Sequence, residues 1–173
     1  MRRLKPYRAS LAGILLAARE AVMAPIRPYL RDIGVTEQQW RVLRVLADRG
    51  ELDPSDLADA ALLHAPSVSR ILKELVDRKL VRRTIDTTDG RRSILTITDA
   101  GRALVDTTAV HTRALLDAFA TKFGPERLVA LERELVAFTG AIQSLALSRE
   151  TEPNTEARGK PARRGKSFVP QDH

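Results

Sequence analysis

The sequence has no cysteine, few aromatic residues and no long apolar run. Without cysteine it can form neither disulfides nor thiolate metal sites, and the composition suits a reducing cytoplasm. Aromatic residues make up only 4% of the chain, whereas helix formers such as Ala, Leu, Arg and Glu are abundant, so the fold should be mainly helical. No apolar run reaches the length of a membrane span, and the basic start of the chain lacks the features of a signal peptide. We therefore expect a cytoplasmic protein that does not span a membrane.

Catalytic and cofactor motifs are also missing. There is no nucleophile elbow, phosphate-binding glycine loop or cluster of metal ligands. His64 and His111 stand alone, without the spacing of metal ligands, and are better explained as ordinary polar residues. The sequence therefore predicts neither an enzyme nor a bound cofactor.

Positive charge is what the chain has in excess. Its 29 Lys and Arg against 22 Asp and Glu leave a net charge of +7. Such an excess suits a polyanionic partner, either nucleic acid or an anionic membrane surface, although any basic protein would share it. The positions of the charges must decide between these interpretations.

Residues 7–34 carry the pattern of one long helix. Apolar residues recur there at steps of three and four. Pro25 and Pro28 lie inside the pattern and predict a kink near residues 21–28, since each removes a backbone donor. Gly34 is expected to end the helix.

Residues 35–100 have the pattern of a winged helix-turn-helix lobe. Thr36 and Gln39 form a capping box that begins a second helix, Asp53 caps a short third one, and Pro66 begins a fourth. Two short helices separated by a few residues are typical of a helix-turn-helix. The period then changes to two, which predicts a two-stranded hairpin, or wing, with a polar turn. The predicted fold is mainly α, with this wing as its only sheet.

Residues 101–148 are predicted to form two long helices, separated by a break at Gly124. The last helix carries an apolar seam of coiled-coil type: Leu128, Leu131, Leu135, Phe138, Ile142 and Leu145. We interpret this seam as a dimer contact formed together with the first helix, with packing inside one chain as the alternative. Residues 149–173 are basic and nearly free of apolar residues, so we expect a disordered tail. That tail would either attract phosphates or have no role.

The fourth helix has the features of a recognition helix. Short polar and basic side chains suit the floor of the major groove, and they fall in its first two turns. The expected DNA contacts are Ser67, Ser69, Arg70 and Lys73. A solvated helix face is the alternative, because any surface helix has one.

The wing strengthens the case for DNA. Arg91 and Arg92 at the end of a two-stranded ribbon can reach a neighbouring minor groove. Asp86 and Asp89 flank them, and each would support the wing by pairing with an arginine or by binding the backbone of the turn. Two basic elements in one small domain indicate a DNA-binding surface.

From residue 10 to residue 148 the sequence resembles the MarR family of winged helix-turn-helix regulators. The segments that carry the resemblance are 67–72, 75–83 and 95–101, together with the charged wing. The family usually has Arg where this chain has Gly90, and often Gly where it has Lys79. Segments 15–23 and 36–42 are similar to the homoprotocatechuate-operon repressors of that family.

The resemblance implies a homodimer that represses an aromatic catabolic operon. A phenolic acid or its CoA thioester would release the repressor from a palindromic operator. The residues suited to hold such an effector are Arg19, Met23, Arg27 and Trp40, because arginine grips carboxylates while Met and Trp supply an apolar wall. The alternatives are ion pairs of the arginines with Glu20 or Asp32, and core positions for Met23 and Trp40. The competing function is a DNA-packaging protein without sequence preference.

Overall fold

The computed structural model describes residues 5–85 and 92–150, with side chains as far as residue 145. The chain divides into two compact units, Met1–Lys122 and Phe123–His173. Within the described ranges, one two-stranded sheet stands among helices, which confirms the predicted fold class. The predicted tail lies outside the described residues from residue 151 onward.

The first unit begins with a single 3-10 turn, Tyr7–Ala9, and continues through six helices and both strands. In chain order these are α1 (Leu11–Met23), α2 (Ile26–Asp32), α3 (Glu37–Arg49), α4 (Pro54–Ala61), α5 (Ala65–Asp77), β1 (Val81–Ile85), β2 (Ser93–Ile97) and α6 (Asp99–Phe123). The second unit contains α7 (Pro125–Glu150).

The predicted single first helix is wrong, because the structure has two helices there. Ser10 begins α1 by accepting a hydrogen bond from the backbone N–H of Gly13, so the helix starts later than expected. Pro25 lacks an N–H to continue the α1 ladder and becomes the N-cap of α2. Pro28 is tolerated since it lies in the first turn of α2, where backbone N–H groups have no partner within the helix.

The capping predictions for the helix-turn-helix are confirmed. Thr36 and Gln39 form the reciprocal capping box at the start of α3. Asp53 caps α4 by accepting hydrogen bonds from the backbone N–H groups of Ser55 and Asp56, each at 2.9 Å. These caps satisfy donors that the first turn of a helix leaves free.

The core of the first unit lies where α3, α4 and α5 meet the wing. Every residue in it is aliphatic, and burying each Val, Leu or Ile side chain stabilises the fold by about 1.5–3 kcal/mol. The buried residues are Val42, Leu43, Leu46, Leu57, Ala58, Ala61, Val68, Ile71, Leu72, Leu75, Leu80, Val81, Leu95 and Val105. This packing fixes α5 and the wing relative to each other.

The wing is joined to the helices at its base. β1 and β2 are antiparallel, with Val81 opposite Ile97 and Ile85 opposite Ser93. On its other side β2 exchanges two backbone hydrogen bonds with Leu52, at 2.8 and 3.2 Å. These hydrogen bonds therefore attach the wing to the loop that precedes α4.

The long helix α7 carries the predicted apolar seam. Leu131, Leu135, Phe138, Ile142 and Leu145 are all exposed on it. No helix among the described residues is long and apolar enough to cross a membrane.

Candidate nucleic-acid interface and effector site

The helix α5, which corresponds to the predicted fourth helix, has a buried face and an open polar face. Val68, Ile71, Leu72 and Leu75 are at most 3% exposed and anchor it in the core. Ser69, Arg70 and Lys73 are exposed on the other side, and Ser67 is half-buried. Neither Arg70 nor Lys73 has a hydrogen-bond or ion-pair partner among the described residues.

The wing tip, with Asp86, Asp89 and Arg91, lies outside the described residues. Arg92 is described, and its guanidinium donates a hydrogen bond of 2.7 Å to Oδ2 of Asp53. The other carboxylate oxygen of Asp53 caps α4. The cap hydrogen bond from Asp56 and the hydrogen bond from Arg92 together hold the pKa of Asp53 below its ordinary value.

One side chain thus ties the end of the wing to the start of the helix-turn-helix. The sequence suggested that wing aspartates would hold the wing arginines, and it did not suggest Asp53. The two partners are 39 positions apart, so no local pattern could have paired them.

Five charged residues converge where α1, α2 and α3 meet. We call them the arginine–glutamate cluster: Arg19, Glu20, Arg27, Glu37 and Arg41. Arg27 binds both carboxylate oxygens of Glu20, at 2.7 and 2.9 Å, and Oε2 of Glu37 at 2.8 Å. Oε1 of Glu37 accepts hydrogen bonds from Arg19 and from Arg41. The predicted alternative of a pair with Glu20 therefore occurs, and Glu37 is a partner that sequence reasoning missed.

The cluster keeps its carboxylates ionised. The hydrogen bond from Arg27 lowers the pKa of Glu20. Burial would raise the pKa of Glu37, but the hydrogen bond from Arg27 and the charge of Arg19 outweigh it, so that its pKa is also lowered. The hydrogen bonds with Glu20 and then Glu37 raise the pKa of Arg27.

Trp40 lies one helical turn beyond Glu37 on α3. Its Nε1 is buried and has no hydrogen-bond partner among the described residues. The guanidinium carbon of Arg44 lies 5.5 Å from the centre of its ring, within the range of a cation–π contact. Arg44 is a second residue that the sequence did not single out.

Of the four predicted effector residues, two bind the same carboxylate. Arg19 and Arg27 meet on Glu37, whereas Met23 is half-buried on the last turn of α1. A cleft of about 290 Å³ adjoins the cluster, and only Arg27 of the four lines it. The residues around the cleft are Arg27, Leu30, Arg31, Gly34, Val35, Thr36 and Glu37.

The histidines have no cluster of metal-binding residues around them in the described part of the chain. His111 on α6 stacks on Tyr29 of α2, with ring centres 4.1 Å apart and planes 11° from parallel. This contact packs α2 against α6.

Comparisons with known proteins identify the family. The MarR family profile matches residues 33–92, which contain α3, α4, α5 and the strand β1. The transcriptional regulator FarR of Neisseria gonorrhoeae is 36% identical over 135 residues, or 78% of this chain and 92% of FarR. The chain belongs to the MarR family.

As a MarR-family protein, the chain is a DNA-binding transcriptional regulator and not an enzyme. It is similar to the homoprotocatechuate degradative operon repressor of Escherichia coli, with 33% identity over 75% of this chain and 87% of the repressor. It is also similar to NadR, whose crystal structure contains 4-hydroxyphenylacetate. The TM-score to NadR is 0.72 and the identity 33%, over 79% of this chain and 99% of NadR.

The backbone at Lys79 bears on one departure noted in the sequence. Lys79 follows the recognition helix with a positive φ of 57°, in the left-handed region that glycine adopts without strain. The backbone N–H groups of Lys79 and Leu80 donate to the carbonyls of Val76 and Leu75, which closes the helix end. Glycine would therefore suit this position better than lysine, as the resemblance to the family suggested.

Proposed function

We propose that this MarR-family protein is a homodimeric cytoplasmic repressor of an aromatic catabolic operon. A phenolic acid or its CoA thioester would release it from a palindromic operator. The main support for DNA binding is the open polar face of α5, which lies opposite a fully buried apolar face. The effector part is supported by the relatives and by the cluster at the start of α3.

The DNA contacts divide between the recognition helix and the wing. Ser67, Ser69, Arg70 and Lys73 would enter the major groove, where arginine pairs with guanine and hydroxyls bind several base edges. Arg91 at the wing tip would enter the adjacent minor groove. Asp86 and Asp89 would hold the turn around it.

Arg92 has a different role in this proposal. Its guanidinium binds Asp53, so it fixes the end of the wing to the cap of α4 and thereby aims Arg91. Any phosphate contact by Arg92 would use the part of its side chain that stays exposed, which is 57% of it.

The dimer would form through α7 and the N-terminal helices. The exposed seam of α7 repeats at steps of three and four, and α1 exposes Leu11, Ile14, Leu16 and Val22 as well. A continuous row of exposed apolar side chains normally marks an interface. Two recognition helices related by a two-fold axis would then read half-sites about one helical turn apart.

The effector would bind beside α3. Arg19 and Arg27 supply guanidinium groups for a carboxylate, and Met23 and Trp40 supply apolar surface. The buried Nε1 of Trp40 adds a donor without a partner among the described residues. An E. coli relative is named for homoprotocatechuate degradation and NadR binds 4-hydroxyphenylacetate, so an aromatic acid is the proposed class.

Release follows from linkage. If the effector changes the spacing of the two lobes, both half-sites can no longer be engaged together and operator affinity falls. Operator DNA must then weaken effector binding by the same factor.

The test begins with duplexes selected from a random pool by the purified protein. Fluorescence anisotropy then compares the selected duplex with a scrambled one at fixed salt. A specific repressor should prefer the selected duplex by about a thousandfold or more. Enrichment of no sequence, with equal affinity for both duplexes, would instead favour the DNA-packaging function.

Arg70→Ala tests the assigned face in the same assay. Loss of a base contact should cost about 1–3 kcal/mol and relax the preference at one base pair. Arg49→Ala is the matched control, since Arg49 is exposed at the end of α3 and its loss removes the same charge. Equal affinities of the two variants would contradict the assigned face. Titration with 4-hydroxyphenylacetate then tests release, with 4-hydroxyphenylacetamide as the uncharged control.

A further inference from the structure

The turn between α4 and α5 has an unusual backbone. Leu62 closes α4 in the left-handed region, with φ 52° and ψ 49°, which non-glycine residues rarely adopt. Leu62 is 81% exposed, so packing does not compensate for this conformation. Only two residues separate Leu62 from the start of α5, which means that the geometry of this turn sets the position of the recognition helix.

Hydrogen bonds hold the turn. The backbone N–H of Leu63 donates to the carbonyl of Ala58, as in a closed helix end. From outside the turn, Arg41 of α3 donates to the carbonyls of Ala61 and Leu62, at 3.1 and 3.4 Å. A cation at a helix C-terminus satisfies free carbonyls and complements the helix dipole.

The same guanidinium belongs to the arginine–glutamate cluster. Arg41 Nη2 lies 3.2 Å from Oε1 of Glu37, and that oxygen also accepts a hydrogen bond from Arg19. Arg19 on α1 and Arg41 on α3 thus share one acceptor atom. Moving Arg19 therefore changes how strongly Oε1 of Glu37 binds Arg41.

We propose that Arg41 is the positioning residue that links the arginine–glutamate cluster to the recognition helix. With Arg19 on Glu37, Arg41 keeps its contacts with Ala61 and Leu62, and the turn presents α5 for DNA binding. When a carboxylate draws Arg19 away, Oε1 of Glu37 attracts Arg41 more strongly and the turn loses its outer support. This last step rests on the proposed effector, whereas the positioning role does not.

The experiment uses the full chain, the selected duplex and 4-hydroxyphenylacetate. Arg41→Ala should lower operator affinity about tenfold, because charged hydrogen bonds to the turn are lost. The slope of log affinity against log salt should stay that of the wild type, since no phosphate contact is removed. Arg41→Lys should restore part of the affinity, and Arg49→Ala, which removes an equal charge, should keep the wild-type value.

A second variant tests the link. Glu37→Gln leaves Arg41 on the turn but removes the shared charge. Its operator affinity without the acid should stay within about threefold of the wild-type value. In the wild type the acid should weaken operator binding by a factor of about 5–150, and in this variant that factor should fall toward one. Thermal unfolding of each variant checks that the fold is retained.

The outcomes separate the two ideas. Wild-type operator affinity in folded Arg41→Ala, or a salt slope reduced by about one, would overturn the positioning role. An unchanged effector response in Glu37→Gln would overturn the link. If 4-hydroxyphenylacetate releases neither the wild type nor any variant from the duplex, the proposed effector is wrong, and so is the link that depends on it. The affinity measurements still decide the role of Arg41.

Discussion

Single residues of the same type have different roles on the proposed DNA-binding surface. Arg70 and Lys73 project from α5 without a partner among the described residues, so their charges are available to DNA. Arg92 instead binds Asp53, and Arg41 binds the turn that precedes α5. Counting basic residues would treat all four alike. Their hydrogen bonds separate the proposed DNA contacts, Arg70 and Lys73, from the residues that hold α5 and the wing in place.

The Asp53–Arg92 pair gives a prediction at this scale. Arg92→Ala and Asp53→Asn should each lower operator affinity by roughly fivefold, and the double variant no further, because both break one connection. Asn keeps the helix cap, so α4 should remain intact. Fluorescence anisotropy on the selected duplex measures all three variants. Arg91→Ala combined with Asp53→Asn should be more severe than either alone, and full additivity of Arg92→Ala with Asp53→Asn would argue against the wing-holding role.

The elements are positioned by close contacts at their ends. Thr98 begins α6 by accepting a hydrogen bond from the backbone N–H of Gly101, and its hydroxyl approaches the carbonyls of Lys79 and Leu80 within 2.8 and 3.1 Å. A Cβ atom at Gly101 would overlap the carbonyl oxygen of Leu80. The base of the wing and the start of α6 can approach this closely only with glycine there.

This close approach predicts opposite effects of two identical substitutions. Gly101→Ala should destabilise the fold by about 1–3 kcal/mol, since backbone must move to admit the methyl group. Gly140→Ala should stabilise α7 by up to about 1 kcal/mol, because nothing described lies within 4 Å of its Cβ position and alanine favours helix. Urea unfolding of both variants measures the difference. Equal stabilities would mean that the contact at Gly101 does not limit the packing.

At the scale of the whole molecule, the proposed function requires two copies. Leu135→Glu introduces a charge into the seam of α7 and should convert the dimer to a monomer. Loss of the second half-site should then lower operator affinity about a hundredfold or more. Sedimentation velocity and anisotropy measure the two effects. Val136→Glu is the control, since Val136 is also apolar and is more exposed than Leu135 but lies off the seam. A dimeric Leu135→Glu variant would exclude the seam as the interface.

The sequence by itself determined the local structure. Capping boxes, prolines and the change of period are patterns within a few residues, so α3, α4, α5 and the wing could be predicted from neighbouring side chains. The exposed polar positions of α5 follow from the same periodicity. The exception was the first helix, where the sequence indicated a kink but not a full break at Pro25.

The tertiary structure alone decided which side chains share a partner. Arg19 and Glu37 are 18 positions apart, and Asp53 and Arg92 are 39 apart. Their pairing depends on how whole helices and strands pack, which local propensity does not contain. For the same reason, the sequence did not single out Arg41. Only the packing of α3 against the end of α4 brings it to Ala61 and Leu62.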